Sequence, residues 1–532
     1  MANQAITRRG AGAIRQALLD GREMALVDVR EEALYAEGHP LFAVNIPLSK
    51  LDIEVLARIP RPDTPVTLYD NAAGQAARAA QRLLALGYTD VALLEDDLAG
   101  WRSAGGVLFM DVNSPSKSFG EWVEHQRHTP SLAAEQVKEL LDRQADAVVL
   151  DVRRFDEYQT MNIPGSISVP GAELVLRVRD LAPAPSTRVI VNCAGRTRSI
   201  IGAQSLVNAG IANPVFALRN GTIGWTLAGY DLERGQQRRY GQPGAAIRRL
   251  AGQDARRVAD RAGVKRAGME DLAQWRADSE RTTYVFDVRS PEEYAAGHLP
   301  GARPAPGGQL VQETDHYASV RGARIVLVDD LQARADMTAS WLAQMNWQVW
   351  VLDGLAAGDF SERGAWPPPL PALPPQRRVD AALLAGWLRE AGTAVLDVTG
   401  SANYVAGHIP GASWLLRAEL DKLAAADALP SAQRYVVTCG TSLLAAYAVE
   451  ELERLTGKPV YVLDGGNAAW RAANLPLEQG ETRLLSPRID RYRRPYEGTD
   501  VPAQVMQAYL EWEYGLVAQL SQDGTHGFWV IK

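Results

Sequence analysis

The sequence predicts an α/β protein of four repeated units, each a mainly parallel sheet with helices on both faces, followed by a C-terminal helical tail. Three observations carry this expectation. A short apolar strand ending in Asp-Val recurs four times with the same residue types at fixed distances after it. A second apolar strand ends forty-two residues beyond each of those aspartates. Strands alternate with helical patterns throughout, which favours parallel pairing with crossover helices. The length agrees: 532 residues, at about 150 per domain, give three to four domains.

The recurring strands are ALVDVR at Asp28, VVLDVR at Asp151, YVFDVR at Asp287 and AVLDVT at Asp397. Seven residues on stand Tyr35, Tyr158, Tyr294 and Tyr404, and eleven residues on His39, Asn162, His298 and His408. The last three units then reach a Pro-Gly pair, which turns the chain after a short helix; the first reads His39-Pro40-Leu41-Phe42 and departs from the pattern. The histidines stand singly in separate units, so they are expected to stabilise turns and not to gather a metal.

At the forty-two-residue position stand Asp70, Cys193, Asp329 and Cys439. Each closes an apolar run (VTLYD, VIVNC, IVLVD, YVVTC) and precedes a helical pattern. That places each at the C-terminal end of a buried strand, where open α/β sheets hold their sites. A further strand and, in three units, a tryptophan (Trp101, Trp225, Trp470) complete the repeat; Trp225 reads as core.

The units are expected over residues 5–115, 125–240, 250–365 and 376–480, with a tail over 481–532. The Pro-rich stretch Ala365 to Gln376 reads as a semi-rigid linker. The Arg-rich stretch Arg238 to Arg266 reads as a solvated helix face. In the tail, Tyr509, Leu510, Trp512, Tyr514, Leu516 and Leu520 make a helix too apolar to stand free, so docking on the domains is expected.

Composition narrows the function. With 46% hydrophobic and 22% charged residues the chain is an ordinary globular one, not a fibrous or disordered one. A net charge of -7 gives no global positive field for nucleic acid. Cys193 and Cys439 are the two cysteines and form no Cys-x-x-Cys pair, so the chemistry is single-thiol chemistry. An N-terminus without an apolar core segment, and no long apolar run later, predict a cytoplasmic protein without membrane spans.

The loop Cys193-Ala194-Gly195-Arg196-Thr197-Arg198-Ser199 runs from a strand into a helix. Such a loop turns backbone N–H groups toward one centre, here the sulfur of Cys193. The helix N-terminus and two arginines are expected to lower the thiol pKa from its usual value of ~8.5 and to make a nucleophile that needs no histidine base. Two arginines beyond a buried strand make a poor core but a good cradle for an oxyanion such as a sulfonate.

With these residues in view, the chain resembles four tandem rhodanese domains over about residues 5 to 480. The markers are the strand-borne Asp-Val-Arg, the Gly-His-Ile/Leu-Pro-Gly-Ala turns at Gly297–Ala302 and Gly407–Ala412, and the cysteine loop. The resemblance implies transfer of sulfane sulfur from thiosulfate to cyanide or a thiol through a persulfide on Cys193. It implies that the N–H groups of Ala194 to Ser199 bind the sulfur and that Arg196 and Arg198 hold the donor's anionic end. Family members pair an inactive domain with an active one, and the order Asp, Cys, Asp, Cys implies two such pairs in succession, with Asp70 and Asp329 marking inert domains. Cys439-Gly440-Thr441-Ser442 resembles the loop of 3-mercaptopyruvate sulfurtransferases, with no arginine for an anionic donor; it is the candidate second site. No metal or organic cofactor is implied.

Two rivals follow from the same residues. A cysteine phosphatase needs Cys-x5-Arg, and Arg198 is only the fifth residue after Cys193, so the loop is one short. The Asp-substituted units keep a non-catalytic binding scaffold as the other.

Overall fold

A computed structural model of the chain describes residues 6–532; residue 5, at the start of the first expected unit, and the rest of the N-terminal segment 1–5 lie outside it. The described residues form four five-stranded sheets of one topology. In the second, the strands lie in the order Ser131–Leu132, Val215–Leu218, Arg188–Asn192, Ala147–Asp151 and Ile167–Ser168, all parallel. The central strand Arg188–Asn192 is buried after its first residue, as the run VIVN requires, and delivers Cys193 at its C-terminal end. No helix among the described residues is long and apolar enough to cross a membrane.

The recurring residues brace this frame. Arg30, Arg153 and Arg289 fold back onto Asp28, Asp151 and Asp287 in buried, two-pronged ion pairs. Each also donates to a carbonyl, of Gly38, Met161 or Gly297, at the end of the next helix. Burying both charges is tolerable because the fork satisfies both carboxylate oxygens. In the fourth domain Thr399 replaces the arginine; Asn467 donates to Asp397 instead, and burial pushes that carboxyl up to about 6. The tyrosines donate to backbone carbonyls eight residues on, and His39, His298 and His408 stack on Tyr35, Tyr294 and Tyr404 at 3.7–3.9 Å. The histidines are thus turn supports. Among the described residues no cluster of His, Cys, Asp or Glu could hold a metal. Trp225 is core, its indole N–H donating to Asp231.

Domain pairing differs from the sequential expectation. The second domain packs on the third: Arg334 reaches Glu173 at 2.9 Å, Trp341 donates to Ser205 at 2.8 Å, and the backbones meet at Gly171 and Gly308. The first packs on the fourth, where Arg417 pairs with Asp52 at 2.6 Å and the Ala418 N–H donates to Ser49, and also on the third, where Tyr284 donates to the Arg58 carbonyl at 2.6 Å and Arg58 to Ser319 at 3.0 Å. A linker only needs to span its ends, so adjacency in sequence does not choose the partner. The Arg-rich stretch forms helix Ala245–Arg261 with Arg248, Arg249, Arg257 and Arg261 on an exposed face; its Ala251, Ala255, Val258 and Ala259 are buried against helices Leu174–Leu181 and Ala333–Gln344 of the two paired domains.

The tail docks. Helices Ala503–Tyr514 and Leu516–Asp523 lie against helix Ser114–Arg127, which joins the first two domains. Lys117, paired with Asp111 at 2.9 Å, sits among the rings of Tyr496, Tyr509 and Trp512 at 5.0–5.5 Å. A desolvated cation among three rings holds better than an exposed one.

Candidate active site

Cys193 is 1% exposed and lies at the mouth of helix Thr197–Asn208. Its carbonyl accepts the Thr222 N–H at 2.9 Å, and the Ala194 carbonyl accepts the Ile223 N–H at 3.0 Å. This clamp requires glycine beside it: Gly221 has φ +53°, and a Cβ there would stand 2.3 Å from the Cys193 carbonyl oxygen. Cys439 repeats the clamp, with Asn467 N–H on its carbonyl at 2.8 Å, Ala468 N–H on that of Gly440 at 3.0 Å, and Gly466 in the tight position. Neither glycine carries a role from the sequence alone, although each follows its cysteine at nearly the same distance, 28 and 27 residues on.

What the loop holds is visible in the Asp-bearing domains. The Asp70 carboxylate accepts the N–H groups of Ala73 and Ala76 at 3.2 and 2.8 Å. The Asp329 carboxylate accepts those of Leu331, Arg334 and Ala335 at 3.3, 2.9 and 3.2 Å, and Arg334 Nε at 3.0 Å. These are anion nests at a strand-to-helix turn. Ala76 and Ala335 are the sixth residues after the aspartates, and the sixth after Cys193 is Ser199, whose hydroxyl donates to the Arg196 carbonyl at 2.8 Å and which draws the Cys193 thiol down. Arg198 matches Arg334 in register. Arg198 forks onto Glu157 at 2.8 and 2.9 Å, as Arg334 meets Glu293 at 2.6 Å.

Two expectations need correction. Burial pushes the Cys193 thiol up, not down; Arg198 and Ser199 pull the other way, and Glu513 adds to the rise. Desolvation of an enclosed sulfur outweighs one cation and one nest. Arg196, expected beside the donor, is bound elsewhere: it forks onto Glu121 at 2.7 and 2.8 Å, touches Glu124, donates to Asn220 at 3.1 Å and lies under the Tyr514 ring at 4.2 Å. It ties the loop to helix Ser114–Arg127 and the tail. Arg198 alone bears on the sulfur. For Glu157, burial alone would raise the carboxyl, but Arg198 with Arg153 and Arg154 holds it at about 2.

The rest of the loop divides by role. Gly195 lies under the tail, with Tyr509 and Glu513 at 3.2 and 3.4 Å from the place of a Cβ. Thr197 and Arg198 line a cavity of about 470 Å³ between the second and third domains, walled by Phe155, Val288, Met337 and Trp341. Cys439, Gly440 and Thr441 line a second cavity, of about 190 Å³, between the fourth and first domains. Ser442 takes a left-handed φ of +76° and starts a helix of only four residues, Leu443–Ala446. The loop itself lacks an arginine, but the fold brings Lys50 and Arg417 into that cavity. Glu121, Glu157 and Glu513 were missed from sequence; Glu157 repeats in register as Glu293, whereas Glu513 carries no repeat signal.

A family model of the rhodanese-like domain matches residues 13–104, 133–228, 269–355 and 380–473. The chain is 66% identical to a thiosulfate sulfurtransferase from Pseudomonas aeruginosa of known crystal structure, with a TM-score of 0.97, covering 99% of this chain and 100% of that one. It is 23% identical over 137 residues to the putative sulfur carrier protein YrkF of Bacillus subtilis, 24% of this chain and 73% of that protein. It is 40% identical over 108 residues to the HTH-type transcriptional regulator Rv0324 of Mycobacterium tuberculosis, 20% of this chain and 47%, about half, of that regulator. Four matched segments that together span more than half of the chain, each with its own five-stranded parallel sheet, make this protein a member of the rhodanese-like family with four tandem domains.

Proposed function

We propose that the protein is a thiosulfate sulfurtransferase in which Cys193 carries the transferred sulfur. The observation that carries this reading is the shared register of the two loops: Arg198 and Ser199 follow Cys193 where Arg334 and Ala335 follow Asp329, whose carboxylate takes their N–H groups. A site that stabilises an anion at that point stabilises a thiolate and then the terminal sulfur of a persulfide. The Cys193 thiolate attacks the sulfane sulfur of thiosulfate; the new S–S bond forms as the old one breaks, and sulfite leaves with its electron pair. A thiol or cyanide then takes the outer sulfur and returns the thiolate, which gives ping-pong kinetics. The 470 Å³ cavity beside Thr197 and Arg198 is the approach for the acceptor. The Asp70 and Asp329 domains form no persulfide and serve as partners that wall the cavities. Two free cysteines and no disulfide fit a reducing cytoplasm.

The 190 Å³ cavity with Lys50 and Arg417 supports a second reading, in which Cys439 takes sulfur from an anionic donor such as 3-mercaptopyruvate. Intact mass after thiosulfate or 3-mercaptopyruvate, then after cyanide, for wild type, Cys193→Ser and Cys439→Ser tests both. The proposal expects one added sulfur that needs Cys193 and is removed by cyanide; a second that needs Cys439 supports the second reading. No added sulfur from either donor overturns both and favours a binding scaffold.

A further inference from the structure

The tail helix over the cysteine loop brings a chemical group with it. Glu513, on helix Ala503–Tyr514, is 1% exposed and lies 314 residues or more beyond the loop Cys193 to Ser199 in the chain. Its Oε1 accepts the Tyr509 hydroxyl at 2.7 Å. Its Oε2 is equally buried, has no hydrogen-bond partner and stands 3.4 Å from the place of a Cβ on Gly195, two residues from Cys193. A buried polar atom left without a partner costs about 1–3 kcal/mol and calls for a use.

The charged neighbours leave that oxygen unclaimed. From helix Ser114–Arg127, Glu121 and Lys117 face it, with Glu124 behind Glu121, and from the loop Arg196, with Cys193 near. Tyr496, Tyr509 and Asp111 complete the surroundings. Lys117 is held by Asp111, and Arg196 by Glu121 and Glu124. Burial, then the Glu121 charge, push the Glu513 carboxyl up to about 8, so it holds a proton at neutral pH.

We propose that Glu513 is the general acid of the sulfur site: its carboxyl hydrogen bonds the SO3 group of thiosulfate and passes to sulfite as sulfite leaves. This rests on the reading of Cys193 as the sulfur carrier. The Cys193 thiol first gives its proton to water; the thiolate then bonds to the sulfane sulfur, the thiosulfate S–S bond gives its electron pair to sulfite, and the Glu513 proton goes to a sulfite oxygen. The products are the Cys193 persulfide anion, hydrogensulfite and the Glu513 carboxylate, with the same total charge as the reactants. Water restores the proton when hydrogensulfite departs. The protonation matters because an enclosed site holds a dianion poorly, and the donor's charge grows on the departing group as the bond breaks.

The test uses the full chain with thiosulfate, following persulfide formation by rapid quench and intact mass across neutral and alkaline pH, for wild type, Glu513→Gln and Glu513→Ala. An inorganic polysulfide, which releases no sulfite, is the second donor. Because the Cys193 thiolate and the protonated Glu513 carboxyl are needed together, the wild-type rate with thiosulfate is expected to rise and then fall on the alkaline side. Glu513→Gln and Glu513→Ala are expected to be ~10²-fold slower with thiosulfate, without that alkaline fall, and unchanged with polysulfide. A Glu513→Gln protein with the wild-type rate and alkaline fall overturns the assignment, as does equal slowing with both donors, which marks a structural role. A wild-type protein that takes sulfur from polysulfide and none from thiosulfate overturns the thiosulfate reading and the acid with it.

Discussion

The loops 193–199 and 329–335 share a strand end, a helix start and an arginine in the same register, yet they hold different groups. In the third domain the Asp329 carboxylate is enclosed, where burial opposes its charge, but Arg334 and the loop amides prevail and keep it ionised. Arg334 is satisfied there by Asp329, Asp330, Glu173 and Glu293 together. In the second domain the occupant is a thiol that burial keeps neutral, so the nest is filled by charge only when sulfur becomes thiolate or persulfide. The same cradle that serves as a permanent brace in one domain is a conditional binding site in the other. Reactivity here comes from leaving the anion out of the resting state.

The largest expected effect is on exchanging the occupants. Cys193→Asp should give a folded protein with no thiocyanate production from thiosulfate and cyanide, with a thermal midpoint at or above that of wild type because the carboxylate fills the nest at all times. A midpoint well below wild type would show that the two cradles are not equivalent. Next, Arg198→Lys loses the fork onto Glu157 and should lower kcat/KM for thiosulfate by ~10²-fold, with Cys193 alkylated only at higher pH than in wild type. Steady-state kinetics and a pH series of iodoacetamide labelling check both parts.

A smaller effect is expected in the brace. Asp329→Asn removes a charge from the enclosed Arg334 and should cost about 1.5–3 kcal/mol in denaturant unfolding, with persulfide formation at Cys193 kept. The smallest concerns acid. Glu157 sits at about 2 against an ordinary 4.5, so the stability it contributes is complete above 4.5 and is lost as pH falls through about 2. Glu293 is lowered as well. Acid unfolding followed by circular dichroism should therefore be shallower over that window in Glu157→Gln and in Glu293→Gln than in wild type.

Much of the fold is legible because its signals are local. The runs ending at Asp28, Asp151, Asp287 and Asp397 announce buried strands, and the forty-two-residue step to Cys193 and Cys439 places both at strand ends. The loop around Cys193 reads as an anion cradle from its residue types alone. Arg196 misleads for a definite reason: its partners Glu121 and Glu124 lie on a helix seventy-two residues and more before it, and no loop pattern reveals them. The absence of an arginine near Cys439 misleads in the opposite sense, since Lys50 and Arg417 arrive from another domain and another strand end.

The four sheets and the strand-end positions of the two cysteines and the two aspartates follow from local patterns, because periodicity and turn chemistry act within a few residues. That the second domain packs on the third and the first on the fourth and third, that the tail covers Gly195, and that burial raises the Cys193 thiol emerge from the packed molecule alone. Those outcomes depend on desolvation, a sum over every group packed around an atom, and most of the groups around Cys193 come from distant parts of the chain.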